Sequence, residues 1–192
     1  MELIIKHQEH YSRLQLVLRT LFGWLYMIIP HVFVLYILAI ANGILTFIAW
    51  FAILFTGRYP RSFFNFTLGV TRWSLRLAAR ILNLSDGYPP FSLCAADENV
   101  KFELPYPERL SRGMLLVKTL FGIFYVIIPH FVVLYILLIP VGIFSIIAWF
   151  SILFTGQYPK MMHDFVTGWL RWATRVQVYF IMSDSYPPFK LS

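Results

Sequence analysis

Two uncharged runs of 37 residues, Thr20–Thr56 and Thr119–Thr155, dominate the pattern of apolar and polar positions. Each follows an amphipathic start, Tyr11–Arg19 or Leu110–Lys118. Each is followed by a segment in which apolar and basic residues mix, roughly 61–84 and 160–182, which predicts an amphipathic helix. Gly57-Arg58-Tyr59-Pro60 and Gly156-Gln157-Tyr158-Pro159 stand between the two kinds of segment. They predict helix termination, with glycine just past one end and proline opening the next helix. Val100–Leu104 alternates apolar and polar residues, which predicts a short strand, and Met1–Ile5 is a weaker candidate to pair with it. Tyr-Pro-Pro-Phe closes each unit, at 88–91 and 186–189, because Pro-Pro does not continue a helix.

These elements repeat. Between 20–60 and 119–159, 28 of 41 positions are identical without a gap, at an offset of 99. Gly69, Arg72, Trp73 and Arg76 return as Gly168, Arg171, Trp172 and Arg175, and the closing motif returns at offset 98. The chain divides into repeat 1 (1–93), a polar joint (94–99) and repeat 2 (100–192).

Composition turns this pattern into a class. Hydrophobic residues make up 59% and charged residues 13%, with a mean hydropathy of +0.68. Soluble domains carry about twice that share of charge, so the expected class is an integral membrane protein. One Cys excludes a disulfide framework and a Cys-based zinc module. The net charge of +7 comes from arginines and lysines flanking apolar runs. That is an orientation and headgroup signal, and no nucleic-acid partner is expected.

A helix of 37 residues would measure about 55 Å, against about 20 residues needed to span the hydrocarbon core. One reading makes each run a helical hairpin with its tip at Ala41-Asn42-Gly43 or Pro140-Val141-Gly142. The other breaks it at Pro30 or Pro129. Positive residues bracket both runs while the proposed tips carry none. Both ends should therefore lie on the cytoplasmic side, which needs an even number of crossings and favours the hairpin. The expected fold is an all-α integral membrane protein of two tandem repeats, each an apolar helical hairpin followed by an interfacial amphipathic helix. Both termini are expected in the cytoplasm.

Phe55-Thr56-Gly57-Arg58-Tyr59-Pro60, the Arg72-Trp73 pair with Arg76, and Tyr88-Pro89-Pro90-Phe91 resemble the bacterial membrane family known as domain of unknown function 4389. Tyr106-Pro107-Glu108-Arg109-Leu110-Ser111-Arg112 extends the resemblance in the second copy. The resemblance covers nearly the whole chain as two copies, implies a small multi-pass protein of the bacterial inner membrane, and implies no reaction. Copy one departs at its entrance, where His7-Gln8-Glu9-His10-Tyr11 stands, and copy two has Gln157 in place of Arg58.

His31 and His130 are the ionisable groups inside the apolar runs. They could face each other and hold a haem or metal, or relay protons; alternatively each bonds a backbone carbonyl freed by the preceding proline. Arg72, Trp73, Arg76, Arg171, Trp172 and Arg175 are candidates to clamp anionic lipid headgroups, because guanidinium suits phosphate. No catalytic motif is present, and no catalytic residue, cofactor or metal is expected. The leading expectation is a non-enzymatic scaffold or accessory subunit that packs against partner helices and lipid, as a homo-oligomer or with other membrane proteins. Shallow hairpins would wedge one leaflet. The alternatives are a lipid or small-solute transporter or pore, and a redox or proton-handling subunit using the two histidines.

Overall fold

The computed structural model describes residues 1–192, apart from the side chain of Ile181. Copy one runs through β1 (Glu2–Ile5), α1 (Arg13–Gly23), a π-helical turn (Trp24–Ile28), α2 (Ile29–Thr56) and α3 (Arg61–Ile81). Copy two repeats the order with β2 (Val100–Glu103), α4 (Arg112–Gly122), a π-helical turn (Ile123–Ile127), α5 (Ile128–Thr155) and α6 (Lys160–Met182).

Local chemistry sets the boundaries. Ser12 Oγ accepts from the Gln15 N–H at 3.3 Å and Ser111 Oγ from the Met114 N–H at 3.2 Å, capping α1 and α4. At the other end Gly57 and Gly156 adopt φ of +71° and +75°, a left-handed conformation that glycine enters without steric cost. Their N–H groups return to the Ile53 and Ile152 carbonyls at 2.8 Å. Pro60 and Pro159 then lead into α3 and α6, as the sequence predicts.

The expected hairpin tips are not turns. α1, the π-turn and α2 form one helix from Arg13 to Thr56, and its counterpart runs from Arg112 to Thr155, each of 44 residues. Asn42 stays helical, and its side-chain oxygen accepts from Thr67 Oγ1 on α3 at 2.7 Å. Pro140 lies inside α5. The helices run on through both sites. The chain reverses at Gly57–Pro60, and α3 folds back along α2. The fold is also not purely helical, because β1 and β2 pair antiparallel as the alternation at Val100–Leu104 predicts.

Leu3 lies opposite Phe102 in that sheet, and the two are repeat equivalents. Three further kinds of contact between the copies are likewise matched. The Tyr11 N–H donates to the Gly156 carbonyl at 2.8 Å and the Leu110 N–H to the Gly57 carbonyl at 2.9 Å. Arg13 donates to the Phe154 carbonyl at 3.0 Å and Arg112 to the Phe55 carbonyl at 2.7 Å. Trp149 donates to Thr20 at 2.8 Å and Trp50 to Thr119 at 2.9 Å. Such reciprocity is the mark of a twofold relation. Its axis passes through the Leu3–Phe102 pair.

Leu3, Ile5, Val100 and Phe102 point from the sheet into a core shared with Phe64, Leu68 and Leu75 of α3, Val166 and Leu170 of α6, and Ala49, Ile53, Ala148 and Ile152 of the long helices. The two sides of the molecule differ. The sheet exposes Glu2, Lys101 and Glu103, and α3 exposes Arg61, Ser62, Asn65 and Ser74. The long helices instead expose an apolar stripe at helical spacing, from Leu14 through Phe22, Phe33, Ile40 and Phe47 to Phe55.

Candidate functional site

His31 and His130 are fully buried, each in a cage built by its own copy. Trp73 Nε1–H donates to His31 Nδ1 at 2.7 Å, and Trp172 Nε1–H to His130 Nδ1 at 2.9 Å. Phe91 and Phe189 stack on the two imidazoles at 3.9 Å. An indole nitrogen only donates, so each Nδ1 is an acceptor and the proton of a neutral imidazole sits on Nε2. His130 Nε2 meets Tyr186 Oη at 3.2 Å. His31 Nε2 has no partner among the described residues. With Nδ1 engaged and Nε2 protonated, neither ring offers a free lone pair to a metal while its tryptophan bond is made. No group of three metal-ligating side chains occurs among the described residues.

The expectation that each histidine bonds a proline-freed carbonyl is corrected. Pro30 has no N–H to return to Tyr26, four residues back. Tyr88 Oη donates to that carbonyl at 3.1 Å, and Tyr186 Oη donates to the Tyr125 carbonyl, the one Pro129 leaves, also at 3.1 Å. The closing Tyr-Pro-Pro-Phe motif therefore supplies both the carbonyl's new donor and the ring that covers the histidine. The π-turns directly precede the same prolines, where the helical ladder is already interrupted.

The predicted arginine face is assembled and turned inward. Arg72 Nε donates to the Phe102 carbonyl at 2.9 Å and Arg171 Nε to the Leu3 carbonyl at 3.1 Å, so each copy's helix holds the other copy's strand. Arg76 donates to the Ala95 carbonyl at 2.6 Å and to the Ser92 carbonyl. Arg175 donates to the Ser192 carbonyl at 2.7 Å and to the Lys190 carbonyl. Arg80 pairs with Asp97 of the joint at 2.7 Å, both buried. These guanidinium groups hold the tail that crosses α3 and α6, and Trp73 and Trp172 serve the histidines. The crossing is close: a Cβ at Gly168 would lie 2.7 Å from the Leu191 carbonyl oxygen, and one at Gly69 2.9 Å from Leu93 Cβ.

The Arg-Trp pair and Tyr-Pro-Pro-Phe thus form one constellation around the histidine, present twice, and Phe55–Pro60 ends the long helix that carries that histidine. The family model described as a domain of unknown function, number 4389, matches residues 15–92 and again 117–190. The chain belongs to that family. No curated protein and no solved structure matches it. In this tandem member of family 4389, the two matched segments are the two copies related by the axis.

Sequence reasoning missed two residues of the constellation and gave a third residue, outside it, no role. Asp86 and Asp184 precede the closing motif, accept from the Ser12 and Ser111 N–H groups at 2.6 Å, and pair with Arg19 at 3.5 Å and Lys118 at 2.8 Å. The Asp-x-Tyr-Pro-Pro spacing recurs in both copies and could have shown them. The third is His163. It packs edge-to-face on His7 at 5.0 Å and 83°, while the repeat-equivalent pair, Phe64 and Tyr106, packs at 5.1 Å and 85°. His7 contacts the Tyr158 carbonyl at 2.7 Å, and Tyr106 donates to the Tyr59 carbonyl. The divergent entrance of copy one thus keeps the geometry of copy two with titratable rings. Burial holds the His163 imidazole below its ordinary value, and the neighbouring His7 adds to that. Nearby, burial pushes the Tyr11 hydroxyl up to about 12.

Proposed function

We propose that this family member is a non-enzymatic membrane scaffold that enters the bilayer from one face and wedges the leaflet it occupies. The observation carrying this is the place of the charged sheet. Glu2, Lys101 and Glu103 are exposed on it, and the twofold axis runs through it. An axis lying in the membrane plane would put this open two-stranded sheet at mid-bilayer depth. Each charge there would cost about 3 kcal/mol even on lenient scales, and open sheet edges have no partners in lipid. An axis along the membrane normal puts the sheet in water.

A normal axis has a consequence for the long helices. It places Gly57 and Gly156 at equal depth. Tyr11 is hydrogen-bonded to Gly156, so residue 11 and residue 57 then lie at the same face. The continuous 44-residue helix then begins and ends at the same face and lies along it, which agrees with the positive residues at both ends of each apolar run. Its exposed apolar stripe faces lipid, or the helices of a partner, and α3 and α6 lie at the interface under the sheet. Both termini would face the cytoplasm of a bacterial cell.

Single cysteines at positions 12, 40, 43 and 58 of a Cys94→Ser chain, labelled with an impermeant maleimide in oriented vesicles, test this. The expected result is labelling of 12 and 58 from the cytoplasmic side and of 40 and 43 from neither. Labelling of position 58 from the side opposite to 12, or of 40 and 43 from the periplasm, overturns the reading. Added to preformed anionic vesicles, the protein should also raise their curvature.

A further inference from the structure

The two copies also differ where the entrance segment meets the tail. In copy one, Gln8 and Tyr11 fill the space between the entrance segment and the tail. Gln8 Oε1 accepts from the Asp86 N–H at 2.8 Å. Tyr11 Oη accepts from the Gln8 N–H at 3.2 Å and donates to the Leu84 carbonyl at 3.4 Å. Copy two has Pro107 and Leu110 at these positions, which have no side-chain polar atom. There a cavity of about 460 Å³ opens, lined by Pro107, Arg109, Leu110, Arg175, Asp184 and Tyr186 among others. That volume is in the range of small-ligand sites.

The walls select the ligand's charge. The Asp184 carboxylate is already neutralised, since it pairs with Lys118 at 2.8 Å and accepts from the Ser111 N–H at 2.6 Å. Two guanidinium groups remain. Arg109 is exposed at the rim, where copy one carries His10. Arg175 spends its terminal nitrogens on the Lys190 and Ser192 carbonyls, and its Nε–H is buried without a partner among the described residues. The occupant of the same place in copy one presents an acceptor oxygen, Gln8 Oε1, to a backbone N–H. An anion with several acceptor oxygens would meet that backbone donor and Arg109 from different directions, with the charge of Arg175 in the wall behind, which suits a tetrahedral oxyanion.

We propose that the cavity of copy two is a binding site for a phosphate-type anion, supplied by a glycerophospholipid headgroup or as free phosphate. Copy one carries the same pocket plugged by its own Gln8 and Tyr11. The headgroup source rests on the membrane reading given above; the free-phosphate source does not.

The test uses the full chain in a neutral detergent. Inorganic phosphate is titrated by calorimetry, and retention of phosphatidylglycerol against phosphatidylcholine is read by native mass spectrometry. Binding of phosphate alone assigns the free-anion source, and preferential retention of phosphatidylglycerol assigns the lipid source. R109A should weaken either about tenfold or more, as loss of a charge-assisted contact does, whereas R58A should not. P107Q/L110Y, which copies the plug of copy one, should remove binding without lowering the melting temperature. R109A alters an exposed rim residue, so its readout survives even if the plugged variant fails to fold. Retention of both lipids alike with no phosphate binding overturns the site, as does undiminished binding in R109A. Failure of the vesicle-labelling experiment would leave the phosphate measurement intact.

Discussion

Tyr88 donates its hydroxyl to the Tyr26 carbonyl at 3.1 Å, and that is the carbonyl which Pro30 leaves without a helical donor. Tyr186 does the same for Tyr125 and Pro129. A chain segment 58 residues past a proline thus completes the helix the proline interrupts. Y88F should destabilise the protein by about 1 kcal/mol, the net worth of a hydrogen bond, and by more if the carbonyl stays unsolvated. In a P30A background the alanine N–H can serve the carbonyl, so the same substitution should cost less. Thermal unfolding of the four variants in detergent reads the coupling. Equal costs in both backgrounds would refute the link.

Arg171 and Arg72 each hold the strand of the other copy. R171A should increase hydrogen exchange in the peptide covering Leu3, and R72A in the peptide covering Phe102. The loss of protection is expected across the axis, 168 residues along the chain from Arg171 and 30 residues from Arg72. Exchange that rises only beside the altered helix would count against the reciprocal arrangement.

The His7–His163 contact should make stability pH-dependent on one side of the molecule. Burial lowers the folded-state value of His163 below its unfolded value near 6.5. Above that pH both states are neutral and nothing is lost. As pH falls through about 6.5, the unfolded chain takes a proton that the folded chain refuses, so stability declines. The groups that also face this site are Glu9, Lys160, Asp164, Tyr158 and Tyr11. H7Y/H163F, which copies the Tyr106–Phe64 pair of the other half, should flatten the melting temperature between pH 7.5 and 5.5. A slope identical to wild type would place the titrating group elsewhere.

Two glycines should respond in opposite directions to alanine. At Gly168 a Cβ would press on the Leu191 backbone, so G168A should cost about 1–3 kcal/mol as an overpacked contact does. At Gly43 nothing lies within 4 Å of the added Cβ, and the residue sits inside α2. G43A should stabilise by about 0.5–1 kcal/mol through helix propensity. Denaturant unfolding monitored by far-ultraviolet circular dichroism compares the two. A stabilised G168A would mean that the tail does not cross α6 closely.

Much of the local structure was legible in the sequence. Gly57-Arg58-Tyr59-Pro60 marks a helix end because left-handed glycine and an N-terminal proline act within four residues. The strand at Val100–Glu103 was legible from alternation alone. The hairpin tips were misread for the same reason that makes such signals useful. Asn-Gly and Pro act as local turn propensities, and tertiary contacts override them: Asn42 stays within α2 and accepts from Thr67 of α3. The arginines, tryptophans and histidines were singled out correctly as unusual, but their partners were not foreseeable. Trp73 lies 42 residues from His31, and Arg171 lies 168 from Leu3.

By itself the sequence determined the two long apolar stretches, the twofold repetition, and where the helices stop, because composition, self-identity and cap residues all act locally. The tertiary structure alone decided that the copies interlock around an axis, that the arginine face holds the chain's own carbonyls, and that Tyr88 serves Pro30. Those outcomes depend on which unsatisfied donors and acceptors meet once the chain has folded back on itself. Hydrogen bonds over such distances along the chain leave no periodicity to read.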